Sequence, residues 1–341
     1  MKHLRIAVAA LLTLTTLLAG CGRGPAGQDG AGGKEAPQAG ATGAGSGESR
    51  PGAKLRVGML PIVDGLPFWV AEAQGYFREA GVEVELVNFR SADERDVALT
   101  AGQIDGAIAD TVAATTLVAS GARVKVISLS LGANPREGRF LILASPRSQA
   151  QTLEDLKGVP IAISNNSIIH YVTEKLLEEA GFRPEEIQTT SIPQIPTRFE
   201  MLMSGQVEAA CLPDPLAYLA EVQGAKVLAD DSKIGRNLSQ SVILFTEKAL
   251  AEKGDAVRTM LTAYNRAVAD IAADPNRFRP LLVEKARLPE PIRDTYPVDP
   301  FSPAQLPTRE QLEPVSAWLV AKGVIEAPVA YEDLVDGRFL P

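Results

Sequence analysis

Short apolar runs alternate with amphipathic segments from residue 55 to the end of the chain. Apolar runs of about four to eight residues are typical of buried strands, whereas the segments between them have the period of helices. Because parallel strands need a crossover between them, this alternation predicts an α/β fold with mainly parallel sheets flanked by helices. The predicted strands cover residues 55–60, 82–89, 104–109, 124–131, 139–144, 159–163, 188–192, 207–212, 226–229 and 241–245.

The second part of this pattern repeats the first. Three short segments that end helices recur in the same order, at offsets of 100, 103 and 103 residues. The pairs are 79–81 with 179–181, 102–105 with 205–208, and 121–124 with 224–227. A glycine after a helix is common, so each match alone is weak, but three matches in order predict two related lobes.

Two strands are predicted to connect the lobes, because they interrupt the βα alternation. Residues 139–144 lead out of the first lobe, and residues 241–245 lead back into it. The first lobe is therefore predicted to be discontinuous, with residues 54–140 and 245–341, and the second lobe to consist of residues 141–244. A chain of 341 residues is also longer than one hydrophobic core usually serves.

The first 53 residues have the pattern of a targeting signal followed by a tether. The apolar stretch from Ile6 to Leu18 is shorter than the roughly twenty residues that span a bilayer, and it is typical of a secretory signal. The end of this stretch, L-A-G-C, resembles the lipobox of bacterial lipoproteins. The resemblance implies a signal peptide at 1–20, lipidation of Cys21 and an anchor on the extracytoplasmic face of the cell membrane; an unmodified cysteine is the alternative. The Gly- and Ala-rich remainder of 21–53 is predicted to be a flexible tether.

Composition excludes several classes of function. The chain has 34 Lys and Arg against 42 Asp and Glu, a formal charge of -8 without a basic run, which disfavours nucleic acid as a partner. With Cys21 acylated, Cys211 is the only thiol left, and its apolar strand predicts an inert core residue. His3 lies in the signal, so His170 alone remains, and we expect neither a metal site nor a cofactor. The sequence has no G-x-S-x-G, H-E-x-x-H or G-x-x-x-x-G-K-[ST] motif.

Ligands of open parallel sheets bind beyond the carboxyl ends of the strands. With two such lobes, the loops at these ends are predicted to line one cleft; they are 61–69, 90–92, 110–112, 164–170, 193–198 and 213–215. The candidate ligand-binding residues in them are Asp64, Phe68, Trp69, Ser91, Asp110, Thr111, Ser164, Asn165, Asn166, His170 and Asp214.

Each candidate also has a structural interpretation. Phe68 and Trp69 either stack on a planar ligand or have one ring in the core. The polar run 164–167 either cradles an anion with its backbone amides or contacts the edge of a heterocycle. His170 faces the cleft or the solvent. The acids after the strands, Asp110 and Asp214, serve as helix caps as readily as ligand contacts.

Several segments resemble bacterial ABC-importer substrate-binding proteins, in the group that handles nitrate, sulfonates and thiamine-pyrimidine precursors. They are V-G-M-L at 57–60, L-P-F-W-V-A at 66–71, G-Y-F at 75–77, G-V-E-V at 81–84, A-L-T-A-G-Q-I-D-G-A at 98–107, W-L at 318–319 with Gly323, and Y-E-D-L at 331–334. The resemblance implies a two-lobed type II periplasmic binding protein that closes on a small molecule by hinge motion. It also implies an ABC permease and its ATPase as partners, and we expect a monomer.

Enzymes share this family and fold. A pyrimidine synthase of the family uses a Cys-rich motif and an active-site histidine, and the motif is absent here. Cytosolic dehydratases of menaquinone synthesis share the fold, but the lipobox argues against them. We therefore expect no enzymatic activity. An enzyme with Asp64 or Asp214 as base, and a surface lipoprotein without transport, are the alternatives.

The charges near the cleft bear on the ligand. An anion buried beside the carboxylates of Asp64, Asp110 and Asp214 is unfavourable unless cations compensate. Arg198 is the one nearby cation, and it either lines the cleft or faces solvent. The predicted ligand is therefore a neutral or amino-bearing planar compound, such as a thiamine pyrimidine precursor, with a sulfonate- or nitrate-type anion as the alternative.

Overall fold

The computed structural model describes residues 53–298 and 300–341. Its strands are β1 (Lys54–Met59), β2 (Glu83–Asn88), β3 (Gly106–Asp110), β4 (Val124–Leu131), β5 (Phe140–Ala144), β6 (Pro160–Ile163), β7 (Gln188–Ser191), β8 (Ala209–Pro213), β9 (Lys226–Asp230) and β10 (Ser241–Thr246). Its α-helices are α1 (Leu66–Ala73), α2 (Tyr76–Glu79), α3 (Ala92–Thr100), α4 (Thr111–Ala119), α5 (Ile168–Glu179), α6 (Ile195–Met203), α7 (Leu216–Val222), α8 (Glu247–Ala273), α9 (Arg279–Lys285), α10 (Arg309–Ala321) and α11 (Tyr331–Leu334).

The strands form two five-stranded sheets with the same topology. The first sheet has the order β2-β1-β3-β10-β4 and the second has the order β7-β6-β8-β5-β9. In each sheet one strand is antiparallel to both of its neighbours, and this strand is β10 in the first sheet and β5 in the second. These are the two strands predicted to connect the lobes. The α/β fold with two similar, mainly parallel sheets is confirmed.

Two helices begin earlier than the sequence pattern predicts. The spacing of Thr197 and Glu200 is that of a capping box and predicts a helix that begins after Thr197, whereas α6 begins at Ile195 with Pro196 in its first turn. Helix α8 begins nine residues before the predicted position 256, because the hydroxyl of Thr246 accepts a hydrogen bond from the N–H of Ala249. The predicted caps of α3 and α4 are confirmed: the side chains of Ser91 and Asp110 accept from backbone N–H groups.

Two connecting segments, residues 132–139 and 231–240, lie between the sheets and are hydrogen-bonded to each other. The carboxylate of Glu137 accepts from the N–H groups of Gly132 and Ala133 at 2.9 and 2.8 Å. The amide of Asn237 donates to the carbonyl of Glu137 at 2.7 Å. These bonds hold the two connecting segments against each other between the sheets.

Helix α10 contacts both halves of the fold. It packs against α4 beside the first sheet, while Trp318 and Leu319 belong to the hydrophobic cluster of α5 and the second sheet. The sequence prediction had assigned this helix to the first lobe alone. Among the described residues, none of the helices is both long and apolar enough to cross a membrane. The predicted signal peptide, Cys21 and the tether lie outside the described residues.

Candidate ligand-binding site

Five buried side-chain atoms have no hydrogen-bond partner within the part of the chain that the structure describes. They are Asp64 Oδ1, Arg95 Nη2, Thr111 Oγ1, Arg198 Nε and Arg198 Nη2. Buried polar atoms are nearly always paired, and an unpaired one costs about 1–3 kcal/mol. All five lie in segments that follow a strand of the two sheets, namely β1, β2, β3 and β7. This unpartnered polar set therefore lies at the carboxyl edges of the two sheets, where the sequence predicts ligand contacts.

Asp64 lies in the 3-10 turn after β1. It contacts β4, which precedes the first connecting segment, and β10, which follows the second. Its Oδ2 accepts a hydrogen bond from the hydroxyl of Ser241, the first residue of β10, at 3.0 Å. Its backbone carbonyl accepts from the hydroxyl of Ser130, near the end of β4, at 3.1 Å. Burial raises the pKa of Asp64 to about 6, although the Ser241 hydrogen bond and the charge of Arg95 act in the opposite direction.

Arg95 provides a cation on the same side, but carboxylates surround it. Its Nε lies 2.8 Å from Oδ1 of Asp96, and its Nη1 donates to the carbonyl of Ile108 at 3.0 Å. Asp110 caps α4 by accepting from the N–H of Ala113 at 2.8 Å. Burial raises the pKa of Asp110. With Asp64, three acids accompany one cation, so the first-sheet side of the site is acidic.

Arg198 is the cation on the second-sheet side, and it is fully buried. Its Nη1 donates to the carbonyl of Ile192 just after β7 at 2.6 Å, while Nε and Nη2 are unpartnered. Among the described residues it forms no ion pair. Burial lowers the pKa of Arg198 to about 10. The prediction left open whether Arg198 faces solvent or the cleft; its burial excludes solvent.

Asp214 has the helix-capping role that the sequence left open. It accepts from the N–H of Tyr218 at 3.0 Å and from the hydroxyl of Tyr296 at 3.3 Å. The guanidinium of Arg139 lies 4.0 Å away and also pairs with Glu221. The charge of Asp214 is thus offset by a fixed cation.

The carboxyl edges of the two sheets lie close to each other. Phe199 near the start of α6 and Leu216 at the start of α7 pack against the cluster that contains Val63 and Leu66. The rings of Tyr218 and Tyr296 meet edge to face at 5.4 Å. The first turns that follow the second sheet's strands therefore pack against the hydrophobic cluster of the first sheet.

The predicted aromatic pair lies in the core. The Phe68 ring is fully buried, with its centroid 5.2 Å from that of Tyr264 and 6.5 Å from that of Phe77. Trp69 is 1% exposed and belongs to the same cluster. The sequence allowed one of the two rings to be buried, and the structure buries both. We therefore do not include them in the ligand contacts proposed below.

The polar run after β6 is partly accessible. Ser164 is half-buried, and Asn165 and Asn166 are exposed. The hydroxyl of Ser167 donates to the carbonyl of Ser164 at 2.7 Å, which holds the turn before α5. These side chains lie at the carboxyl edge, as predicted.

His170 is tied into a buried network. The N–H of Asn166 donates to its Nδ1 at 3.2 Å, so Nε2 carries the proton and faces Glu174 at 3.0 Å. Burial by itself raises the pKa of Glu174, but hydrogen bonds from His170, Lys322 and Trp318 outweigh it and hold the pKa at about 2. This network joins α5 to α10, which gives His170 a structural role.

A surface groove also contains cations, beside the connecting segments. Lys175 and Arg236 line it together with Tyr171. Each cation already has an acidic partner, because Lys175 lies 2.7 Å from Glu178 and Arg236 pairs with Glu179. The positive charges of the groove are therefore already compensated, whereas the charge of Arg198 is not.

Two lobes with equivalent strand ends at one interface are the architecture of type II periplasmic binding proteins. A family model described as NMT1/THI5 like matches residues 63–278, and the chain belongs to this family. A protein of Escherichia coli (strain K12) named as an aliphatic sulfonates-binding protein is 25% identical over 252 residues, which are 74% of this chain and 75% of that protein. The predicted family is confirmed.

Solved structures share the fold. The alkanesulfonate-binding protein SsuA from Xanthomonas axonopodis pv. citri bound to MOPS has a TM-score of 0.68 and 20% identity, with 86% of this chain and 99% of that chain covered. The desulfurization enzyme DSZB has a TM-score of 0.65 and 15% identity, with 84% and 97% covered. These likenesses show the fold alone, and the fold carries both binding proteins and an enzyme.

Asp64→Asn tests the burial of this carboxyl group. An acid whose pKa is raised to about 6 on folding favours the folded state while protonated, and this contribution is lost as the pH rises through that value. Asparagine keeps the acceptor for Ser241 and does not ionise. We expect the stability of the ligand-free variant, relative to the native chain, to increase by about 2 kcal/mol between pH 4 and pH 7.5.

The measurement is urea denaturation of both proteins at the two pH values. The matched control is Asp93→Asn, which removes an exposed acid on α3 that is not part of the site. A pH-independent difference between Asp64→Asn and the native chain would show that Asp64 is not a buried acid.

Proposed function

We propose that the protein is the solute-binding component of an ABC importer that captures a small organic anion of the sulfonate type between its lobes. Hinge closure encloses the ligand, and the loaded protein delivers it to a membrane permease and its ATPase. The observation that carries this proposal is the buried guanidinium of Arg198, with two unpartnered N–H groups and no carboxylate partner among the described residues.

The guanidinium of Arg198 is a buried charge without a counterion among the described residues. Taking a guanidinium out of water is unfavourable by several kcal/mol unless an anion compensates it. Nε and one Nη of arginine form a planar fork that matches two oxygens of a sulfonate or carboxylate. In Arg198 these are the two unpartnered nitrogens, Nε and Nη2. An anionic ligand therefore gains both hydrogen bonds and charge compensation.

Two of the three acids that disfavour a bound anion have partners within the protein. Asp214 is accompanied by Arg139 and caps α7, and Asp110 caps α4. Asp64 is the acid with an unpartnered oxygen. A neutral aminopyrimidine, whose amino group donates to Asp64, is the second candidate. Because an aminopyrimidine leaves the charge of Arg198 uncompensated, we favour the anion as the ligand.

We propose that the ligand is released unchanged. The Cys211 thiol is fully buried in β8, and burial raises its pKa to about 12, which disfavours the nucleophilic thiolate. His170 is held by Asn166 and Glu174. Of the groups considered as bases, Asp64 alone has an unpartnered oxygen at the site, and in this proposal it contacts ligand without proton transfer.

The proposed ligand contacts are Asp64, Thr111 and Arg198, with Ser91 and the turn of Ser164, Asn165 and Asn166 at the rim. We propose the lobe boundaries of the sequence analysis, residues 54–140 with 245–341 and residues 141–244, and a monomer. We also propose that Cys21 carries the lipid that anchors the protein outside the cytoplasmic membrane through the tether.

The Arg198→Met variant tests the proposed function. Because the native guanidinium is buried without a counterion, we expect the ligand-free variant to be no less stable than the native chain. Its affinity for ethanesulfonate should fall by at least about 30-fold, since the anion loses its buried partner. Isothermal titration calorimetry measures the affinity and urea denaturation the stability.

Arg236→Met, which removes a surface cation paired with Glu179, is the matched control and should bind as the native chain does. Undiminished ethanesulfonate affinity in Arg198→Met, or no binding by the native chain, would contradict the proposal.

The Cys21→Ser variant tests the anchor. Expressed in a bacterium that processes lipoproteins, the native chain should incorporate labelled fatty acid and sediment with membranes, whereas Cys21→Ser should do neither. Cys211→Ser is the matched control, because it removes the other of the two cysteines and should retain the label. Equal labelling of the native chain and Cys21→Ser would exclude this anchor.

A further inference from the structure

A series of buried hydrogen bonds connects the turn after β6 with helix α10. The backbone N–H of Asn166 donates to Nδ1 of His170 at 3.2 Å, and Nε2 of His170 lies 3.0 Å from Oε1 of Glu174. The other carboxylate oxygen of Glu174 accepts from the indole N–H of Trp318 at 2.7 Å. Trp318 belongs to the W-L segment of the sequence, which has no part in the proposed ligand contacts.

The carboxylate of Glu174 determines which nitrogen of His170 is an acceptor. Burial raises the pKa of Glu174, but three hydrogen bonds outweigh it and hold the pKa at about 2, so the group is ionised and can only accept. A protonated Nε2 of His170 therefore faces Glu174, which leaves Nδ1 of the neutral ring as the acceptor for Asn166. Because Trp318 and Lys322 lie on α10, that helix helps to fix the tautomer of a residue on α5.

The turn that this acceptor holds has an unfavourable backbone conformation. Asn166 has a φ of 55°, in the left-handed region that residues other than glycine seldom adopt. The hydroxyl of Ser167 does not cap α5 and donates instead to the carbonyl of Ser164 at 2.7 Å. Asn165 and Asn166 are exposed. The bond to Nδ1 of His170 therefore ties an exposed turn to a buried part of α5.

Helix α10 also packs beside a proposed ligand contact of the first lobe. It contacts α4, whose first residue is Thr111. Val112, next to Thr111, lies in one hydrophobic cluster with Val315 and Trp318 of α10. The same helix therefore supports Thr111 in the first lobe and, through His170, the turn 164–166 in the second.

We infer that His170 is a positioning residue whose Nδ1 holds the turn 164–166 in the conformation that contacts ligand, and that α10 maintains this conformation through Glu174. The effect on ligand affinity rests on the proposed function, whereas the hold on the turn is a property of the protein alone. His170 itself does not touch the ligand. A turn that is ordered in advance loses less conformational entropy on binding, so its release lowers the affinity.

Two substitutions separate the roles of the two ring nitrogens. The Oδ1 of asparagine has the branch position of histidine Nδ1, so His170→Asn keeps the acceptor for Asn166 and loses the donor to Glu174. The terminal amide of glutamine reaches the position of histidine Nε2, so His170→Gln keeps the donor and loses the acceptor. In the purified full chain, we expect ethanesulfonate affinity to fall at least about fivefold in His170→Gln and to stay within about twofold of native in His170→Asn. Calorimetry at pH 7.5 measures both.

Trp318→Phe is the control for the joint between α5 and α10. It retains an aromatic ring and removes the indole N–H, while Glu174 keeps Lys322 and His170 as partners. We expect a lower stability in urea but an ethanesulfonate affinity within about twofold of native, because the acceptor for Asn166 is unchanged.

Two NMR measurements do not depend on the ligand. The nitrogen-15 shifts of the His170 ring should show an unprotonated Nδ1 and a protonated Nε2 in the native chain. His3 is the other histidine, and the His170 variants assign the signals. The amide of Asn166 should exchange with water at least about fivefold faster in His170→Gln than in the native chain or His170→Asn.

The outcomes separate this inference from the proposed function. A His170 ring with protonated Nδ1 and bare Nε2, equal exchange of the Asn166 amide in all three chains, or an affinity of His170→Gln that equals or exceeds that of His170→Asn overturns the inference and leaves anion binding intact. If the native chain does not bind ethanesulfonate, the proposed function is wrong, and the exchange of the Asn166 amide alone decides whether His170 positions the turn.

Discussion

The structure depends on one constraint: in the part of the chain that the structure describes, the carboxyl ends of the parallel strands of both sheets are followed by buried polar groups without partners. Asp64, Arg95, Thr111 and Arg198 are each at least nine-tenths buried, yet each keeps an unsatisfied atom. Such groups lower the stability of the ligand-free fold. They follow strands of both sheets, and the proposed ligand is the compound that satisfies them.

Other buried charges have ion-pair and hydrogen-bond partners, and these interactions help to offset the free energy lost by leaving polar atoms unpaired at the candidate site. Arg139 pairs with Glu221 and Asp230, and Glu174 accepts hydrogen bonds from His170, Trp318 and Lys322. Glu137 organises the first connecting segment and, through its carbonyl, the second. Both networks and the hinge are thus rigid locally. Asp64 contacts Ser130 and Ser241, which lie next to these segments.

Much of the fold was predictable because its signals are local and repeated. Hydrophobic periodicity located the ten strands, and the order of helix-ending glycines revealed the two lobes. The start of α6 was misplaced, because the spacing of Thr197 and Glu200 resembles a capping box although Pro196 already lies in the first turn. The surroundings of the candidate site residues depend on contacts between residues that are distant in sequence. Adjacent aromatic residues do not indicate which ring is buried, and both are. The carboxylates were counted as free charges, whereas Asp214 has Arg139 as a fixed partner that is distant in sequence. Arg95 and Arg198 are separated by the offset of the repeat, 103 residues, but the sequence does not show that both side chains are buried.

The central claim is that the guanidinium of Arg198 holds the anionic group of the ligand between the lobes. The most direct measurement is a crystal structure of the full chain with a bound sulfonate. The account predicts two sulfonate oxygens within hydrogen-bond distance of Arg198 Nε and Nη2, at the interface that also contains Asp64. A sulfonate bound instead in the groove of Lys175 and Arg236, with Nε and Nη2 of Arg198 still unpartnered, would contradict it.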